Sequence, residues 1–234
     1  QFGSWRILFL LLVFLFLLMA LIFSRFELDI EDQLKNNNEC IEQKNEGKIH
    51  SLELIKKKNF LLLCLAMFLY VGAEEGIAFW TTTFFGFAYK NVQWGTFSLS
   101  AYWAGMIIGR FLASVFPKKG FLFLTVGTFL SFVSISLALL VKSAMIGFVC
   151  FFLVGLGLSV TWPMIVSIAS DKFKQYRGTA VGIMMSLGAM GGSVIPFFIG
   201  VFNHYGSIKI AFWIFPFFIM ITFFAILWSN KIEA

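Results

Sequence analysis

Two adjacent acids, Glu74 and Glu75, stand in the run Tyr70-Val71-Gly72-Ala73-Glu74-Glu75-Gly76, and no other charged residue occurs between Asn59 and Tyr89. Of the chain's 12 acidic residues, eight lie between positions 24 and 58, while Asp171 and Glu233 sit in other polar stretches. The pair at 74 and 75 is therefore embedded in apolar sequence, about 15 residues and so roughly 22 Å from the nearer polar end of its run. A carboxyl group at membrane depth is costly and marks a functional site by default, either hydrogen-bonding a polar solute or passing a proton. At about 100° per residue, Gly72 and Gly76 share one helix face, Glu74 falls nearly opposite, and Glu75 flanks the glycine side. If the glycines pack on a neighbouring helix, Glu74 faces a cavity, because lipid is excluded as its surroundings. The plainer reading, for Glu75 above all, is a hydrogen bond to an adjacent helix.

Arg110 is the other charge within an apolar run, in Gly105-Met106-Ile107-Ile108-Gly109-Arg110. It lies a turn or two from the end of that run, where an arginine either snorkels to the interface or pairs with an inner loop. A third group is Trp162-Pro163, in a glycine-led stretch. Pro163 leaves the carbonyl four residues back without its donor, and the Trp162 ring beside it either stacks on a ligand or packs. Gly191, Gly192 and Pro196 would let a later helix bend, as a gating helix must.

These groups need elements to hold them, and composition decides which. Of the 234 residues 59% are hydrophobic and 13% charged, about half the charged share of a soluble domain. With 32 Phe and a mean hydropathy of +0.88, the chain holds more apolar surface than one soluble core could hide. Soluble enzymes and nucleic-acid modules are excluded. The fold class is all-α integral membrane, with seven transmembrane helices expected at 5–23, 59–80, 94–116, 120–141, 144–168, 178–202 and 210–228. The first, residues 1–23, precedes a polar linker, 24–58, and the other six form a compact bundle, 59–234. Glycines four apart, at 72 and 76, 105 and 109, 178 and 182, and 188 and 192, predict close helix crossings.

Placing the linker inside the cell puts 13 cations inside and four outside, with Arg110 within a span, so residues 24–58 and the C-terminus are expected in the cytoplasm. Trp5, Trp80, Trp94 and Trp213 then fall near the outer interface as anchors. Cys40, Cys64 and Cys150 have no metal-ligand spacing, so neither a disulfide framework nor a metal site is expected, nor any cofactor. His50 and His204 lie in loops on opposite sides, so no nucleophile and base pair can be assembled and the chain is not expected to be an enzyme. A seven-helix receptor or retinal protein fits the number of spans, but the last span has no Lys for a Schiff base and the 35-residue linker is out of place there.

At Tyr-Val-Gly-Ala-Glu (70–74), Tyr-Trp-Ala-Gly-Met-Ile-Ile-Gly-Arg (102–110), Trp-Pro (162–163) and Gly-Thr-Ala-Val-Gly (178–182), the chain resembles the major facilitator superfamily. Within it, the chain is similar to the fucose and hexose permease-like group of sugar to proton symporters. The resemblance implies that the first span is the family's sixth helix, 24–58 its central cytoplasmic loop, and the remainder its C-terminal half, with the N-terminal bundle absent. It also implies that the helices carrying Glu74 and Trp162 line the central cavity. Gly109 to Lys119 resembles the superfamily's inner-loop Gly-Arg motif without its acidic member. The expected function is secondary transport in the plasma membrane of a small polar solute, a sugar among the candidates, with coupling to protons. The alternative is export of a drug or metabolite by the same superfamily.

Overall fold

The computed structural model describes residues 4–25, 54–116 and 119–231, with side chains over 10–21, 54–116 and 119–229. The expected linker falls mostly outside these residues, together with Cys40 and His50. The chain divides into two compact units, 1–48 and 49–234. In the first, the described residues form α1 (Ser4–Arg25), an uninterrupted apolar helix with no acidic residue in its first turn.

The second unit runs α2 (Lys58–Ala88), α3 (Val92–Val115), α4 (Gly120–Leu140), α5 (Ala144–Leu158), α6 (Thr161–Lys172), a 3-10 turn (Lys174–Tyr176), α7 (Arg177–Tyr205), α8 (Ile208–Ala211) and α9 (Ile214–Lys231). All regular structure among the described residues is helical. By length and apolarity five segments can cross a membrane: 58–88, 120–140, 144–172, 174–205 and 208–229. α3 is long enough at 24 residues but carries Arg110 and a row of hydroxyls, and α1 contributes the apolar stretch Leu10–Leu21.

Three boundaries differ from expectation. α2 does not stop at Trp80 but continues to Ala88, with the Thr81 hydroxyl donating back to the Ile77 carbonyl (2.5 Å) inside an unbroken helix. The fifth span is two helices, α5 and α6, parted at Ser159 and Val160, and the last is divided at Phe212 and Trp213. The bend expected near Pro196 is not a break, since α7 runs through it without interruption.

α2 is the central helix of this unit, packed against α3, α6, α7 and α9. Its contact with α7 runs through Gly72 and Gly191: a Cβ on Gly191 would lie 2.1 Å from the Phe68 carbonyl oxygen. α3 meets α5 in the same way, with a Cβ on Gly105 placed 2.3 Å from the Phe152 carbonyl oxygen. These contacts match the predicted crossings, but Gly178 and Gly182 do not make one: a Cβ there would meet nothing within 4 Å. Spacing identifies a smooth helix face, and here no described helix lies against it.

Candidate functional site

The glycine contact between α3 and α5 sets the first part of the site. By drawing the two backbones together, it brings Arg110 on α3 to the break between α5 and α6. Pro163 is the third residue of α6 and has no N–H, so the Ser159 carbonyl receives no helical donor. Arg110 Nε donates to it instead at 3.2 Å. The preceding carbonyl, Leu158, accepts from the Tyr70 hydroxyl of α2 at 3.3 Å. Side chains of two other helices thus hold both carbonyls at the break, and such carbonyls would otherwise be orphans at a helix end.

Both holders also reach Glu74. Arg110 Nη2 lies 3.9 Å from Glu74 Oε1, and the Tyr70 hydroxyl lies beside the same carboxyl. Tyr102 on α3 donates to the backbone carbonyl of Glu74 at 3.3 Å. Glu74 is 8% exposed, whereas the Arg110 side chain is 54% exposed. The carboxyl is therefore enclosed and its counter-charge reaches it from an open side. Tyr70 has one hydroxyl proton and two acceptors within reach, so its donation to Leu158 competes with donation to Glu74.

In this structure the Glu74 carboxyl is enclosed and does not line an open cavity. Glu74 does lie away from the Gly72 and Gly76 face, but α3 and the α5–α6 break occupy that side. Glu75, one residue on, is exposed and lines a cavity of about 770 Å³ between α2 and α7. A Cβ on Gly192 would sit 3.2 Å from Glu75 Cγ, so this glycine leaves room for the acid. Pro196 lines the same cavity, and its carbonyl accepts from Trp80 Nε1 at 2.9 Å. Trp80 thus cross-links α2 to α7 within a helix that continues to Ala88.

Arg110, expected to snorkel or to pair with an inner loop, instead reaches an acid and a helix break. Trp162 is 38% exposed at the start of α6, and Gly191 is a backbone contact. The structure therefore gathers the expected residues into two groups: Glu74, Arg110 and the Pro163 break in one, Glu75, Gly192 and Pro196 in the other. Tyr70 was overlooked, although its position four residues before Glu74 puts it on the same helix face. Ser159 was implied by Pro163, but its partner could not be read. Among the described residues no group of three His, Cys, Asp or Glu could hold a metal ion.

The sequence profile described as Major Facilitator Superfamily matches residues 1–196, and a second match covers 96–233. The chain belongs to the Major Facilitator Superfamily. Among curated proteins, this superfamily member is 24% identical over 240 residues to "Bypass of stop codon protein 6" of Saccharomyces cerevisiae, covering 87% of this chain and 47% of that protein. It is 32% and 31% identical over 149 residues to proteins of two Helicobacter pylori strains named "Putative glucose/galactose transporter", covering 61% of this chain and 35% of each. The chain thus spans about half, or less, of the length of the relatives it matches.

Proposed function

We propose that the chain is the C-terminal six-helix bundle, with the preceding sixth helix, of a secondary transporter that moves a small polar solute by alternating access with proton coupling. Family membership and the share of its relatives that the chain spans support this reading. The missing part is then the N-terminal bundle, against which this one rocks around a site near the midplane. A sugar is the first solute class to test, because of the resemblance and the name of the Helicobacter relatives. The apolar walls beside Glu75 favour the alternative, a drug or metabolite exporter of the same fold.

The observation that supports coupling is that Arg110 and Tyr70 each serve both Glu74 and the break between α5 and α6. Protonating Glu74 removes the charge that holds Arg110 and leaves Arg110 and Tyr70 to the two carbonyls. The hinge of the fifth span then responds to a proton on the second. Residues 24–58 and the C-terminus lie in the cytoplasm of a plasma-membrane protein in this scheme. Cys40 should resist an impermeant thiol reagent in intact cells and react after permeabilisation; prompt reaction in intact cells overturns that orientation.

The test of coupling uses the full-length transporter in proteoliposomes with labelled glucose or galactose. Glu74→Gln should lower pH-driven accumulation at least about tenfold, or roughly 1.4 kcal/mol in the limiting step, while exchange at equal pH survives better. Undiminished accumulation by Glu74→Gln would exclude the proton role. Equal loss of both activities would make Glu74 a solute-binding or structural group.

A further inference from the structure

The two ends of the second unit are held in different ways. At one end Tyr89 closes α2, and its side chain reaches across to the turn between α4 and α5. Its hydroxyl donates to the Ala138 carbonyl at 2.5 Å, two residues before the end of α4, where helical carbonyls lack an N–H of their own. Its ring lies over Gly147 at the start of α5, where a Cβ would stand 2.8 Å from Tyr89 Cε2. Only glycine leaves the ring that place. The next residue, Lys90, takes a left-handed backbone at φ 55°, and Asn91 then caps α3 by accepting from the Trp94 N–H at 3.1 Å. A non-glycine residue keeps such a conformation only where its surroundings fix it.

Behind Tyr89 the rings continue from helix to helix. Phe85 lies 4.8 Å from Tyr89 and 5.2 Å from Phe151 of α5, while Phe84 stacks on Phe212 at 4.4 Å and Phe212 meets Phe215 of α9 at 4.9 Å. All five phenylalanines are fully buried within this unit itself. Interiors packed in this way shift between discrete arrangements and do not deform gradually. Bending α2 near Phe84 would part these rings and strip the Ala138 carbonyl of its donor. Nor does α2 contain a proline at which to bend. The break between α5 and α6 is the opposite case, because its carbonyls already stand outside the helical pattern and are held by side chains of other helices.

We propose that the Tyr89 end of the unit is one rigid cap, with Tyr89 as its positioning residue, and that the bundle changes shape by bending at the α5–α6 break while the cap keeps its internal geometry. The bending rests on the transport reading, which requires the bundle to change shape. The cap does not.

Hydrogen exchange of the 234-residue chain in lipid nanodiscs tests the cap. Tyr89→Phe should raise exchange about fivefold at amides 141–147, which belong to a different turn from the substituted residue. Gly147→Ala keeps the tyrosine but takes the space of its ring, so it should raise exchange there and at 212–215. Amides 161–172 should stay within about twofold in both variants. A rise confined to 86–92, no rise at all, or an equal rise at 161–172 would each overturn the cap, and the conservative Tyr89→Phe decides if Gly147→Ala does not fold. Bending is read from paired spin labels in the full-length transporter at acidic and alkaline pH. Distances among labels at Lys90→Cys, Lys142→Cys and Lys209→Cys, on three exposed turns of the cap, should stay fixed, whereas the distance from Lys90→Cys to Lys174→Cys, just beyond α6, should change. Movement among the first three, or a Lys174 label that stays still, would overturn the proposal. Missing solute flux despite the expected movements would reject the transport reading alone.

Discussion

Glu74 and Glu75 are the same residue type, one position apart on one helix, with opposite surroundings. Glu74 is enclosed by α3 and the α5–α6 break, beside Arg110 and Tyr70. Glu75 faces an open cavity walled by aromatic rings and the small residues of α7. Rotation of about 100° separates the two positions. The difference teaches that the helix lying against each face, and not the acid itself, decides whether a carboxyl is enclosed within the protein or left open to a cavity.

The comparison breaks if the two acids prove interchangeable for stability, and the largest effect should come from the guanidinium that only one of them touches. Arg110→Ala strands the Glu74 carboxyl and frees the Ser159 carbonyl, so it should cost about 2–4 kcal/mol in reversible unfolding in mixed micelles. A loss below about 0.5 kcal/mol would mean that the network is not formed in the membrane. Tyr70→Phe removes one hydroxyl shared between Glu74 and the Leu158 carbonyl and should cost about 1 kcal/mol. Hydrogen exchange of the amides around 158–161 should rise with it. No change at those amides would show that α6 is held by other contacts.

The smallest effect sharpens the contrast. Glu75→Gln, at an exposed position with no ion pair described, should shift stability by less than about 0.5 kcal/mol under the same conditions. A loss equal to that of Arg110→Ala would make Glu75 part of the structural network and erase the distinction between the faces.

The helices themselves were legible because apolar runs of membrane length leave little alternative. The close contacts at Gly72 and Gly105 were legible too, since a glycine pair spaced by one turn presents a smooth ridge. The wheel also gave the correct side for Glu74. What it could not give was the neighbour on that side, because helix order in a bundle is set by three-dimensional packing and not by local periodicity. Arg110 shows the same limit. Depth along the chain puts Glu74 16 residues from the start of α2 and Arg110 five from the end of α3, and only unequal helix ends bring them together. The end of α2 was misplaced for a related reason: hydropathy falls after Trp80, although the backbone stays helical to Ala88. Gly178 and Gly182 have the right spacing, and nothing in the sequence told that no described helix would lie there.

The length of α2 bears on the position of its acids. Its 31 residues extend about 46 Å, well beyond a hydrocarbon layer of about 30 Å, so the helix must protrude at its ends or tilt. Glu74 stands 16 residues from Lys58 and 14 from Ala88, about 24 and 21 Å along the axis. A carboxyl near the middle of a helix longer than the layer it crosses stays far from both helix ends, whichever way the helix tilts.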